Sequence, residues 1–131
     1  MLYVPYMYYE NYSDSPVIKE DFWEYWESQA EREVDKKTFG RLRREPVLIT
    51  EPVKQCICEI AELLYKANEI AERARQQGGA GLLESYNNDG ESGTFDLSRS
   101  VYTEEGKARK IGEIIYRYLS FTGLMYAGVR Y

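Results

Sequence analysis

Residues 50–81, TEPVKQCICEIAELLYKANEIAERARQQGGAG, decide the fold. Val53, Ile57, Ile60, Leu64, Ala67, Ala71 and Ala74 recur at alternating steps of four and three, the period of one helical face. Cys56, Leu63 and Ile70 widen that stripe to the breadth of a central helix in a bundle. The start is well marked. Thr50 is suited to capping, Glu51 sits near the positive helix end, and Pro52 falls in the first turn, where its missing N–H costs nothing. Gly78-Gly79-Ala80-Gly81 marks the stop. Glu62–Lys66 and Glu69–Arg73 are spaced and ordered as exposed ion pairs.

Outward from this segment the same period appears twice more. Upstream, a helix is expected from about Glu20 to Thr38. Phe22, Trp26, Ala30 and Val34 form its apolar stripe, with Trp23 beside it, and Glu20, Glu24, Glu27 and Glu31 are assigned to the solvated side. Gly40 is its expected stop, and Pro46 with Val47-Leu48-Ile49 forms a connector. Downstream, Thr103 is placed to cap the last helix, with Glu104 and Glu105 favourable in its first turn. Ala108, Ile111, Ile115 and Leu119 form one stripe, and Ile114, Tyr118 and Phe121 a second; Gly123 breaks it. Residues 6–12 read as a short helix or an arm, followed by a turn at Ser13-Asp14-Ser15-Pro16.

The expected fold class is therefore mainly α: a small helical bundle of three main helices plus a short N-terminal helix. Residues 1–131 form a single domain, with an N-terminal arm at 1–18 and a C-terminal tail at 121–131. One β-hairpin is expected between the last two helices. Its strands are 81–85 and 93–97, and Asn88-Asp89-Gly90 supplies residues that tolerate positive φ at the reversal. A lone two-stranded hairpin is marginal in water, so the bundle or a partner must cover it.

Composition narrows the function. Apolar residues make up 44 % and charged residues 30 %, the balance of a globular domain. The first residues carry no basic flank and apolar core of a signal peptide, so the expectation is an intracellular product. There is no histidine, which removes the usual Cys-His and Ser-His pairs and the commonest metal ligand. Cys56 and Cys58, two apart on a helix, point to different sides and are not expected to bridge or share a metal. The carboxylates are expected on solvated faces, and Gly78–Gly81 lacks the Gly-Lys-Ser/Thr ending of a phosphate loop. No catalytic residue, metal site or cofactor is expected, and the chain is not read as an enzyme.

Three features point to assembly. The 13 tyrosines are individually expected as half-buried core residues, but as a set they hint at protein–protein surface. The tail, Leu124, Met125, Tyr126, Val129, Arg130 and Tyr131, is apolar and terminal. Net charge is −5 but segregated: residues 1–35 hold nine acids and two bases, whereas 36–44 carry Lys36, Lys37, Arg41, Arg43 and Arg44 and no acid. That asymmetry suits contact with a second copy, and the acidic whole argues against gripping nucleic acid by its phosphates. About ten residues separate the helices flanking this basic cluster, too many for a helix-turn-helix reader.

Four segments carry a resemblance to a known family: DKKTFGRL (35–42), EPVKQCICEIAELLY (51–65), ESYNNDGESGTF (84–95) and YLSFTGLMYAGV (118–129). In this order they resemble the head–tail connector, or adaptor (head completion), family of tailed bacteriophages and prophages, over most of the chain from about residue 20. Glu91 stands where relatives often carry an aromatic residue. The resemblance implies a virion structural protein at the neck, assembled in the host bacterial cytoplasm. It implies a homo-oligomeric ring, commonly of twelve copies, beneath the portal protein, with DNA passing through the channel without sequence-specific binding. A stopper or tail-terminator protein docks below, and no membrane is involved. It further implies that Tyr86, Asn87, Asn88, Asp89, Gly90 and Phe95 reach a neighbouring subunit or the tail side, and that the 124–131 segment meets the portal. The basic residues at 36–44 would meet an adjacent subunit. The alternative is a small helical nucleic-acid-binding regulatory protein that uses the 36–44 cluster.

Overall fold

The computed structural model describes residues 2–76 and 103–125. Its elements are α1 (Tyr6–Tyr12), α2 (Glu20–Thr38), a single-turn α3 (Arg41–Arg44), a 3-10 turn (Pro46–Leu48), α4 (Glu51–Gln76) and α5 (Glu104–Leu119). The mainly α class agrees with expectation. The expected hairpin, with Tyr86, Asn87, Asn88, Asp89, Gly90 and Phe95, lies outside the described residues.

The long helix α4 is the axis of the bundle, with α2 packed on one side and α5 on the other. Val53, Cys56, Ile57, Cys58, Ile60 and Ala61 are all buried, so its first three turns are covered nearly all round. Toward its C-terminal end burial thins. Ala67 is still enclosed, Leu63, Leu64, Ile70 and Ala74 are half-buried, and Ala71 is exposed. The two expected ion pairs are replaced by tyrosine contacts. Glu62 accepts from the Tyr9 hydroxyl and Ser13 Oγ, and Glu69 from the Tyr65 hydroxyl.

Thr103 caps α5 as its sequence suggests, its Oγ1 accepting from Gly106 N at 3.0 Å. Ile111, Ile114, Ile115 and Leu119 form the face against α4. Two stripe assignments fail: Ala108 is exposed, and Phe121 lies beyond the helix end, 97 % exposed. For Phe121 the reason is that a helix carries its periodicity only as far as its backbone does, and α5 stops at Leu119.

Helix α2 departs most from expectation. Its buried residues are Trp23, Glu27, Ala30, Glu31, Val34 and Thr38, whereas Phe22 is exposed and Trp26 half-buried. The inward face is thus turned toward Trp23, and it includes two carboxylates assigned to solvent. The reason lies at the N-terminus. Residues 2–5 form a strap across α2, with Tyr3 and Val4 buried, and α1 follows with Tyr9 fully buried. Within the expected arm, residues 6–12 are the short helix, and Val4, Tyr9 and Ile18 have no exposed surface.

The end of α2 is tight. Phe39 and Gly40 both adopt left-handed backbone, φ 60° and 72°, and both N–H groups return to Asp35 O. This double return satisfies one of the last carbonyls of the helix, that of Asp35. Glycine takes this conformation freely, but for phenylalanine it costs about 1–2 kcal/mol.

Candidate functional site

Two places concentrate polar chemistry. The first is the seat of the N-terminal strap. Glu27 and Glu31 are one turn apart on α2, 0 % and 4 % exposed. Tyr3 N donates to Glu31 Oε2 at 2.8 Å, and Val4 N to Glu27 Oε2 at 3.0 Å. Trp23 Nε1 donates to Val4 O at 2.8 Å. Three main-chain groups of two successive residues are thus satisfied by side chains of one helix, in place of the strand partner an extended segment normally needs.

Around this seat the charges are unevenly matched. Arg43 Nη2 reaches Glu31 Oε1 at 3.3 Å and its Nε reaches Asp35 Oδ2 at 3.2 Å, while its guanidinium lies 5.4 Å from the Tyr3 ring centroid. The Tyr3 hydroxyl donates to Asp35 Oδ1 at 3.1 Å. Glu27 Oε1 is buried with no hydrogen-bond partner. Burial first, and the adjacent Glu31 second, push the Glu27 carboxyl far above the usual carboxylate range, so at neutral pH it keeps its proton. Burial and Asp35 likewise raise the Tyr3 phenol well above its ordinary value.

Tyrosine hydroxyls fasten α1 in the same way. Tyr9 lies on Trp23, donates to Glu62 Oε2 at 2.7 Å, and accepts from Val17 N and Ile18 N at 3.0 and 3.2 Å. Tyr8 donates to Glu51, and Tyr12 and Tyr118 share a hydrogen bond of 3.0 Å. Tyr118 also donates to Glu59 Oε1 at 2.8 Å, beside the Arg117–Glu59 pair. The N-terminal tyrosines therefore largely serve the fold of their own chain.

The second place is the corner where α2 ends and α5 runs out. Arg41 Nη1 donates to Gly123 O at 3.0 Å and Leu124 O at 3.2 Å, and its guanidinium lies 5.8 Å from the Phe39 ring centroid. Leu124 is buried against the core and Met125 is half-buried. Met125, Tyr116, Ser120 and Gly123 line an open groove of about 280 Å³. Of the expected portal contacts, Leu124 and Met125 are at this corner; Tyr126, Val129, Arg130 and Tyr131 lie outside the described residues. The basic residues do not form one free patch. Arg41 and Arg43 are engaged as above, Lys36 pairs with Glu33 at 3.1 Å, and Arg44 Nη1 donates to Phe39 O at 3.2 Å, with Lys37 exposed.

Sequence reasoning missed Glu27 and Glu31 because carboxylates at helical spacing ordinarily mark a solvated face. One signal was present: they fall in line with Trp23, Ala30 and Val34. Both thiols are buried, and burial pushes Cys56 and Cys58 up to about 12, so neither is a poised nucleophile. Among the described residues no cluster of three or more His, Cys, Asp or Glu side chains is placed to hold a metal, and no helix is long and apolar enough to cross a membrane. No family model, curated protein or solved structure matches the chain.

Proposed function

We propose that this chain is a head–tail adaptor of a tailed phage or prophage, a structural ring component beneath the portal and not an enzyme. The observation that carries this reading is the α2–α5 corner. Phe39 is 46 % exposed and held in a left-handed conformation, next to an Arg41 that anchors Gly123 and Leu124. Phe121 and Tyr116 are exposed at the end of α5. A small domain that accepts backbone strain to display an aromatic residue beside an apolar chain end has the makings of a docking surface. In this reading the portal meets 124–131, with Leu124 serving as the internal anchor from which the rest of the tail departs.

Charge supports assembly of copies. Along the outside of α2, Glu20, Asp21 and Glu24 are exposed at one end, and Arg32, Lys36 and Lys37 toward the other. A head-to-side contact pairs these ends, and such a heterologous contact closes into a ring when its rotation permits. Residues 81–97, expected from sequence as a hairpin, are assigned to a neighbour or the tail side, and net negative charge lets DNA slide through the channel. A nucleic-acid regulator is less favoured because Arg41 and Arg43 are committed within the chain.

Electron microscopy of the purified protein, alone and mixed with a phage portal protein, tests the proposal. Rings that cap the portal are expected. A monomer without affinity for portal, or salt-sensitive binding to duplex DNA in a gel shift, refutes it.

A further inference from the structure

The strap over α2 rests on groups whose charge a single proton decides. Val4 N and Tyr3 N bond to Glu27 and Glu31, and Glu27 Oε1 is enclosed and accepts from no donor, so only a proton held between the two carboxyls can give it a bond, to Glu31. The charged groups around the pair come from every element packed there. On α2 are Asp35 and the two glutamates themselves, on α3 is Arg43, on the strap is the Tyr3 phenol, and on α4 is Cys58, which feels the charges of Glu62 and Glu27. Arg43 is the cation on the pair, and its guanidinium is already divided between Glu31 and Asp35. The phenol and the thiol are both held up by burial, so they stay neutral while the carboxyl pair titrates.

Two ionised carboxylates cannot both remain in this seat without an uncompensated buried charge. The remedy is water, and what keeps water out is the strap. Opening it gives up two main-chain bonds, the Trp23–Val4 bond, the Tyr3 hydroxyl bond to Asp35, the Arg43–Tyr3 contact and the burial of Tyr3 and Val4, and leaves α2, α4 and α5 packed. We propose that Glu27 and Glu31 form a proton-gated latch: with one proton between them they hold residues 2–5 closed over Trp23, and loss of that proton to solvent releases the strap. Release frees the indole N–H of Trp23 and exposes the carboxyl pair, while Tyr9 of α1 stays stacked on the ring.

The test is nuclear magnetic resonance on full-length protein carrying labelled Glu carboxyl carbons and Val methyl groups, titrated from pH 6 to pH 10. The expected result is a shift of the Val4 methyl signals toward unfolded-chain positions. Its midpoint coincides with titration of the Glu27 carboxyl, helical circular dichroism is unchanged, and Glu27→Gln abolishes the Val4 shift. Val4 signals that stay in place while Glu27 titrates overturn the latch. So does a Val4 transition with the same midpoint in Glu27→Gln, or one that occurs only as the helices melt. The coincidence of midpoints is measured on the unaltered chain, so it discriminates even where the variant folds poorly.

Discussion

Tyr9 lies flat on Trp23, ring centroids 4.4 Å apart with 14° between planes, and this stack joins the N-terminal segment to the bundle. The hydroxyl end of Tyr9 matters as much as the ring. It donates a hydrogen bond to Glu62 and accepts from the N–H groups of Val17 and Ile18, closing the turn between α1 and α2. Tyr9→Phe keeps the stack and strands those partners, so a loss of about 1–3 kcal/mol is expected. Trp23→Ala removes the stack and leaves a cavity, at about 3–5 kcal/mol. Chemical denaturation measures both. A Tyr9→Phe variant as stable as the parent would mean that the hydroxyl does not hold the turn.

Stability should fall as pH rises across the neutral range, the reverse of what a salt-bridged carboxylate produces. Burial, then Glu31, raises the Glu27 carboxyl from 4.5 to about 9 in the folded chain. Between those values the folded state holds a proton that the unfolded state has released. The contribution is therefore complete below about 4.5 and is lost progressively as pH approaches 9. The chain has no histidine, so few other side chains titrate there. Urea midpoints at pH 5, 7 and 9 should decline for the parent and stay nearly level for Glu27→Gln. A parent whose midpoint climbs over this range would show Glu27 to be ionised in its seat.

The bundle itself was legible because the central parts of the α4 and α5 stripes are buried, Val53, Ile57 and Ile60 on one and Ile111, Ile115 and Leu119 on the other, although Ala71 and Ala108 are exposed. Thr103 also capped where its position suggested. The strap was not legible, for a physical reason. Residues 2–5 have no period of their own, and their main-chain donors find Glu27 and Glu31 from 23 and 28 positions away. Only three dimensions bring such partners together. That one pairing also explains why the buried face of α2 runs through Trp23 and Glu27 and leaves Phe22 outside. Tertiary contact overrode the local pattern there. The commitment of Arg41 to Gly123 and Leu124 is invisible to a charge count in the same way.

The two cysteines should behave as inert core residues. Cys56 and Cys58 are buried, and burial raises both thiols to about 12. At pH 8 only about one thiol in ten thousand is then a thiolate, the form that reacts. A thiol reagent in excess should label neither in the native protein within hours and both at once in denaturant. Rapid native labelling of Cys58 would show that the α1–α4 contact opens readily.

Arg41 and Phe121 separate the roles of the α2–α5 corner. Phe121 is 97 % exposed, so Phe121→Ser should leave folding stability within about 0.5 kcal/mol of the parent. If the corner docks a partner, the same change should weaken portal capture at least tenfold, because exposed aromatic anchors dominate such contacts. Arg41→Ala acts differently. It removes the charged donor that holds Gly123 O and Leu124 O, a loss of about 1.5–3 kcal/mol local to the segment after α5. Hydrogen–deuterium exchange of residues 120–125 should then accelerate by an order of magnitude or more, with α4 unchanged. Portal capture should fall as well, because the tail would depart from a loosened anchor. Exchange at 120–125 that is indifferent to Arg41→Ala would mean that burial of Leu124 alone fixes the segment. Retained capture in both variants would move the docking surface away from this corner altogether.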